Sequence, residues 1–168
     1  MTQYAEGNIT FDFPDHWHVT KYDDWAFYRN QFMKSCDGNK GVDFLAYDPQ
    51  DRTLWLIEVK DYRQNPRTKS EPLWKEIATK VRDTLAGLFV ARIETYHDNY
   101  QYAVLCSRST RLCVVLHLEQ PPHPNRLFQQ QFKLVDVHQK LKQMLKPIDH
   151  HPRVVDFQHM NNIPWDAQ

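Results

Sequence analysis

Several features are missing from this chain. No apolar run approaches the roughly 20 residues that a membrane-spanning helix needs. The N-terminus is polar and lacks the charged start and apolar stretch of a signal peptide, so a cytoplasmic protein is expected. A basic excess is also missing, since 21 lysines and arginines are matched by 21 aspartates and glutamates. Net charge therefore does not advertise a polyanionic partner. Cys36, Cys106 and Cys113 form an odd set without metal-type spacing, which reads as reduced thiols. His150, His151 and His159 fit no zinc template. Repeats and low-complexity segments are absent. What remains is one domain of 168 residues, 41% apolar and 13% aromatic, large enough to bury a core. Residues 1–22 are expected to form an N-terminal arm and residues 158–168 an irregular tail.

Charge is unevenly distributed. From Lys60 to Arg82, seven basic residues face three acidic ones, an excess of four. A second basic stretch runs from Arg126 to Arg153. Such local fields suit a polyanionic substrate.

The most informative segment is Gly41-Val42-Asp43-Phe44, with fourteen residues between Asp43 and Glu58-Val59-Lys60. Both ends read as strands joined through Asp48-Pro49-Gln50-Asp51-Arg52. Alternation places Leu54, Leu56, Glu58 and Lys60 on one face, with Asp43, Leu45 and Tyr47 sharing a face on the first strand. If Pro49 to Arg52 form the turn, Asp48 pairs with Thr53 and Asp43 falls opposite Glu58. Directly opposed Cβ atoms lie roughly 4.5–5.5 Å apart. Two carboxylates that close repel unless a cation lies between them. Magnesium, with manganese as a substitute, fits oxygen ligands from Asp43, Glu58 and the Val59 carbonyl. Lys60 projects beside the same place, where it can orient a water or offset phosphate charge. The alternative is a solvated surface pair of little energetic value. The apolar run Leu54-Trp55-Leu56-Ile57 favours charges emerging from a core.

The wording Asp43…Leu56-Ile57-Glu58-Val59-Lys60-Asp61-Tyr62-Arg63 resembles the PD-(D/E)XK nuclease superfamily. The resemblance implies a restriction-endonuclease-like α/β fold, a three-layer sandwich with a central mixed sheet flanked by helices. It implies a magnesium-dependent nuclease hydrolysing phosphodiester bonds in DNA. Asp43 and Glu58 would hold the metal and Lys60 would assist the attacking water. Val42 stands in place of the motif's proline, a change that many members tolerate. Many relatives also place a glutamate on the first helix, whereas the segment from Asp23 to Cys36 has none; Asp24 or Asp23 could substitute, or cap that helix. The rival reading is a nucleic-acid- or protein-binding module that keeps the fold without the activity. A third is an interaction subunit displaying Trp17 or Trp165. A homodimer or larger complex is left open.

Around the motif, Ile9, Phe11 and Phe13 alternate as a strand, and Trp17 and Val19 suggest another. A helix is expected from Asp24 to Ser35. The polar loop from Asp61 to Ser70 offers Arg63, Arg67 and Lys69 to a phosphate backbone. Trp74, Ile77, Val81, Leu85, Leu88 and Phe89 recur at helical spacing, predicting a helix over 71–96 with Lys75 and Thr79 near its start as substrate contacts. Tyr102 to Cys106 leans towards helix. Leu112 to Leu118 reads as a buried strand, with His117 a core residue. Residues 128–132 suit an edge strand or a loop. Asp136 and Gln139 resemble a capping box opening a helix through Lys146, and Arg153 to Phe157 suggest a last strand.

Overall fold

The computed structural model describes residues 1–93, 95–96, 98–121 and 131–168. Strands β1 (Thr2–Glu6) and β2 (Ile9–Phe13) form an antiparallel hairpin, and β8 (Asp166–Ala167) adds to the free edge of β2. The larger sheet has the order β3 (His18–Lys21), β4 (Phe44–Asp48), β5 (Thr53–Asp61), β6 (Arg111–Glu119) and β7 (Arg153–Val155). β3, β4 and β5 run antiparallel in turn, whereas β6 is parallel to β5 and β7 parallel to β6. Between β5 and β6 the chain passes through α2 (Leu73–Ile93) and α3 (Tyr100–Cys106); α4 (Leu134–Leu145) follows β6.

Period-two alternation divides the core. Leu45, Tyr47, Leu54, Leu56, Val114 and Leu116 pack against the helices, while Phe44, Ala46, Trp55, Ile57 and Val115 pack against the small sheet through Phe11 and Phe13. The expected mixed-sheet α/β architecture is present, but its layers differ. Helices cover one face of the main sheet, and β1, β2 and β8 cover the other. The N-terminal arm is thus a core layer, and the tail ends in a strand.

Other boundaries also move. The helix expected over 24–35 is broken into a short α1 (Ala26–Asn30) between single turns of 3-10 helix. Trp25 carries its indole N–H to Thr20 Oγ1 at 3.0 Å instead of continuing a helical stripe. Helix α4 begins at Leu134 with Lys133 at its N-cap, so Asp136 lies inside the helix and the expected capping box does not form. The segment 122–130, including most of the proposed edge strand and Arg126, lies outside the described residues.

Candidate charged site on the central sheet

The predicted hairpin register is present: Asp48 pairs with Thr53 and Phe44 with Ile57, which leaves Asp43 across from Glu58 at the strand end. Asp48 Oδ1 accepts the Gln50 N–H at 2.9 Å and fixes the turn. Helix α2 holds the chain leading to Asp43, because Asp83 Oδ2 accepts the Lys40 N–H and Thr84 Oγ1 the Val42 N–H, each at 3.0 Å. The Tyr22 N–H donates to the Asp43 carbonyl at 2.9 Å. Glycine at 41 is required by packing, since a Cβ there would lie 2.8 Å from the Tyr22 ring.

Asp43 and Glu58 converge on the helical face and are buried. Asp43 Oδ2 accepts the Val59 N–H at 2.6 Å. Glu58 Oε1 accepts from two ammonium groups, Lys60 Nζ and Lys80 Nζ, both at 2.5 Å. Lys80 Nζ also lies 3.7 Å from Asp43 Oδ1. Burial, reinforced by the neighbouring Glu58 charge, pushes the Asp43 carboxyl up to about 8 against the pull of Lys80, Lys60 and the Val59 N–H. Burial alone would lower the Lys80 ammonium, but Glu58 and Asp43 outweigh it and raise it. Lys80 was not anticipated as a site residue. The missed signal was a line of polar side chains, Glu76, Lys80, Asp83 and Thr84, running along a helix that crosses the sheet.

The cluster continues through α2. Glu76 is fully buried, and Lys60 Nζ lies 3.9 Å from its Oε1. Arg67 makes a short contact to its Oε2, and Lys69 Nζ donates to Oε1 at 2.6 Å. Burial would raise this carboxyl, but those donors and the Lys60 charge bring it down to about 2. Arg67 also donates to the Glu71 carbonyl at 2.6 Å and the Tyr62 hydroxyl at 3.2 Å. Arg67 and Lys69, expected to grip substrate, thus serve first as counter-ions of a buried acid.

The remaining sequence candidates separate. Arg63 grips Asp61 with two bonds, of 2.8 and 2.6 Å, and sits over the Phe157 ring, which packs against the small-sheet core. It is on the opposite side of the sheet from Glu58. Lys75 is exposed and Thr79 half-buried, and no contact places either at the cluster. Asp24 is exposed and faces Arg29 at 3.5 Å. Asp23 is the acid nearer the site: its Oδ1 is buried without a hydrogen-bond partner among the described residues. Burial raises its carboxyl, while Lys80 is among the charges that oppose the rise. Trp17 and Trp165 are buried at 8% and 4% exposure, so neither is the displayed aromatic of an interaction subunit.

For a metal, Glu58 Oε2 is a buried acceptor without a partner among the described residues, which fits a cation beside Asp43. Against this, the described residues contain no group of three or more His, Cys, Asp or Glu placed to hold one. Asp43 and Glu58 form a carboxylate pair flanked by the ammonium groups of Lys60 and Lys80. The carboxylates are sealed, with side-chain exposures of 1% for Glu58 and 11% for Asp43, while Lys60 and Lys80 keep 17% and 16%. The site therefore shows solvent more cation than anion.

No helix among the described residues is long and apolar enough to cross a membrane. No family model matches the chain, and no solved structure matches it. A curated protein does: a cysteine–tRNA ligase from Neisseria meningitidis serogroup A / serotype 4A (strain DSM 15465 / Z2491), 29% identical over 209 positions, which take in 99% of this chain. The chain spans about 30% of that relative's length. This likeness corrects the expectation of a DNA nuclease and hydrolase, and supports neither DNA nor a homodimer. Along nearly all its residues the chain is similar to part of a protein named for charging tRNA.

Proposed function

We propose that this chain is a tRNA-binding domain acting in tRNA charging. The observation that carries the reading is the colinear likeness over 99% of the chain to part of a cysteine–tRNA ligase. Because that likeness takes in less than a third of the ligase, the chain is assigned the handling of tRNA and not the whole ligation reaction.

The surface chemistry supports an RNA partner. Lys69 keeps 59% exposure beside buried Glu76, and Lys60 and Lys80 keep 17% and 16% beside buried Glu58. Each partly exposed cation is a point charge for a phosphate oxygen, and together they give affinity without reading sequence.

We infer that the Asp43, Glu58 and Lys60 hairpin under α2 descends from a PD-(D/E)XK framework. Magnesium or manganese would be held there by Asp43 and Glu58 in competition with Lys60 and Lys80.

The test is equilibrium binding of labelled tRNA at several salt concentrations, beside duplex DNA of similar charge. Preference for tRNA of at least tenfold at the highest salt supports the reading. Equal affinity for both, falling with the same salt slope, would overturn it.

A further inference from the structure

Away from the Asp43 and Glu58 pair, a cleft of about 790 Å³ opens between the loop after β5, the start of α2 and the start of α4. Its volume falls in the range of roughly 300–1,000 Å³ typical of small-ligand sites. Three aromatic side chains line it, Tyr62, Trp74 and Phe132, together with Lys69, Lys133 and Lys140. With Arg67 there are four cations in the lining against two carboxylates, Glu71 and Asp136; Arg67 and Lys69 also pair with buried Glu76, so Lys133 and Lys140 carry the excess.

Two rings of the aromatic wall are fixed in place. Tyr62 and Phe132 lie 6.0 Å apart, centroid to centroid, at 36°. The Gln120 side chain grips the Phe132 backbone from both ends, donating to its carbonyl at 3.0 Å and accepting its N–H at 2.8 Å. Tyr62 is held by its own N–H on the Glu119 carbonyl at 2.8 Å and by Arg67 on its hydroxyl. All three rings line the cleft and are only partly buried. Lys133 and Lys140 are exposed.

We propose that this cleft seats an unpaired nucleotide of an RNA strand. Its base lies against Tyr62, Phe132 and Trp74, and its phosphates reach Lys69, Lys133 and Lys140. The inference rests on the tRNA reading and names the part of the RNA that is held. Aromatic faces beside cations are the means by which proteins hold single strands, because every base has a face to stack and every link a charge. A base inside an A-form duplex has both faces covered, so a stacking wall selects unpaired nucleotides.

The experiment uses the full chain and a single-stranded RNA tetranucleotide carrying 2-aminopurine, whose fluorescence is quenched on stacking. Quenching that saturates, and that weakens on the order of tenfold in Phe132→Leu and in Lys133→Glu, supports the proposal. Leucine keeps the apolar contact and removes only the ring. Lys34→Glu, an exposed position outside the cleft, should leave the affinity unchanged. The proposal is overturned by no quenching, by equal quenching in Phe132→Leu, by equal loss in Lys34→Glu, or by equal binding of the paired duplex. Intact tRNA is titrated in parallel. Tetranucleotide stacking without tRNA preference would sink the tRNA reading and leave the cleft; tRNA preference with no effect of Phe132→Leu would do the reverse.

Discussion

Lys80, in the middle of α2, places its ammonium 2.5 Å from Glu58 on β5 and 3.7 Å from Asp43 beside it. It offsets the Glu58 charge beside the raised Asp43 carboxyl. Helix and sheet are thereby joined by charge as well as by apolar packing, and loss of that charge should be felt throughout the domain.

Lys80→Met keeps an unbranched side chain one atom shorter and removes its charge. Breaking a buried ion pair from one side costs about 3–5 kcal/mol. With Lys60 still on Glu58, the expected loss is about 3 kcal/mol in urea unfolding. Adding Glu58→Gln should recover part of it, giving a coupling energy on the order of 1–3 kcal/mol. Strict additivity of the two changes would show that the contact carries no energy.

Asp43 links the site to pH. Its carboxyl is raised from 3.8 to about 8, so the folded state holds a proton that the unfolded chain releases. That contribution is complete below about pH 4 and is lost as pH rises through 8, at no more than about 1.4 kcal/mol per pH unit. Asp43→Asn should flatten this part of the stability profile and exceed wild type at pH 9. Parallel profiles for the two proteins would contradict the assignment.

Glu76 has the opposite sign. Its carboxyl is lowered from 4.5 to about 2, so its contribution is present above about pH 4.5 and lost as pH falls through 2. Glu76→Gln removes the anchor of Arg67 and Lys69. Amide hydrogen exchange across 62–72 should then accelerate at neutral pH, while exchange in β5 changes little. Unchanged protection in the loop would mean that its other contacts suffice.

Tyr22 is buried against Gly41 and Gly87, and a Cβ at Gly87 would lie 2.1 Å from its hydroxyl. That hydroxyl has no hydrogen-bond partner among the described residues. Tyr22→Phe should therefore stabilise by about 1 kcal/mol, and Gly87→Ala should be damaging alone but milder in the Tyr22→Phe background. The check is a thermal unfolding series of the three variants; a destabilised Tyr22→Phe would reveal a hydroxyl partner.

The hairpin was legible because strand alternation and Pro49 left one register that gathers Asp43, Glu58 and Lys60. Lys80 was not, because a lysine on a helical wheel reads as solvent-facing until the crossover from β5 to β6 lays α2 over the strand ends. Phe89, counted with the apolar stripe, is 58% exposed, while polar Glu76, Asp83 and Thr84 are buried. The helix thus buries charges that a binary apolar pattern assigns to water. The second sheet was half visible: Ile9, Phe11 and Phe13 alternate, but the pairing of β8 with β2 is a contact between the chain ends that no local pattern encodes.

The proposed handling of tRNA is tested most directly by crosslinking of the full chain to total cellular RNA, followed by sequencing of the bound fraction against the input. Enrichment of tRNA by about tenfold or more over its input share is the expected result. Recovery of RNA classes in proportion to their abundance, with tRNA no more favoured than ribosomal fragments, would contradict it.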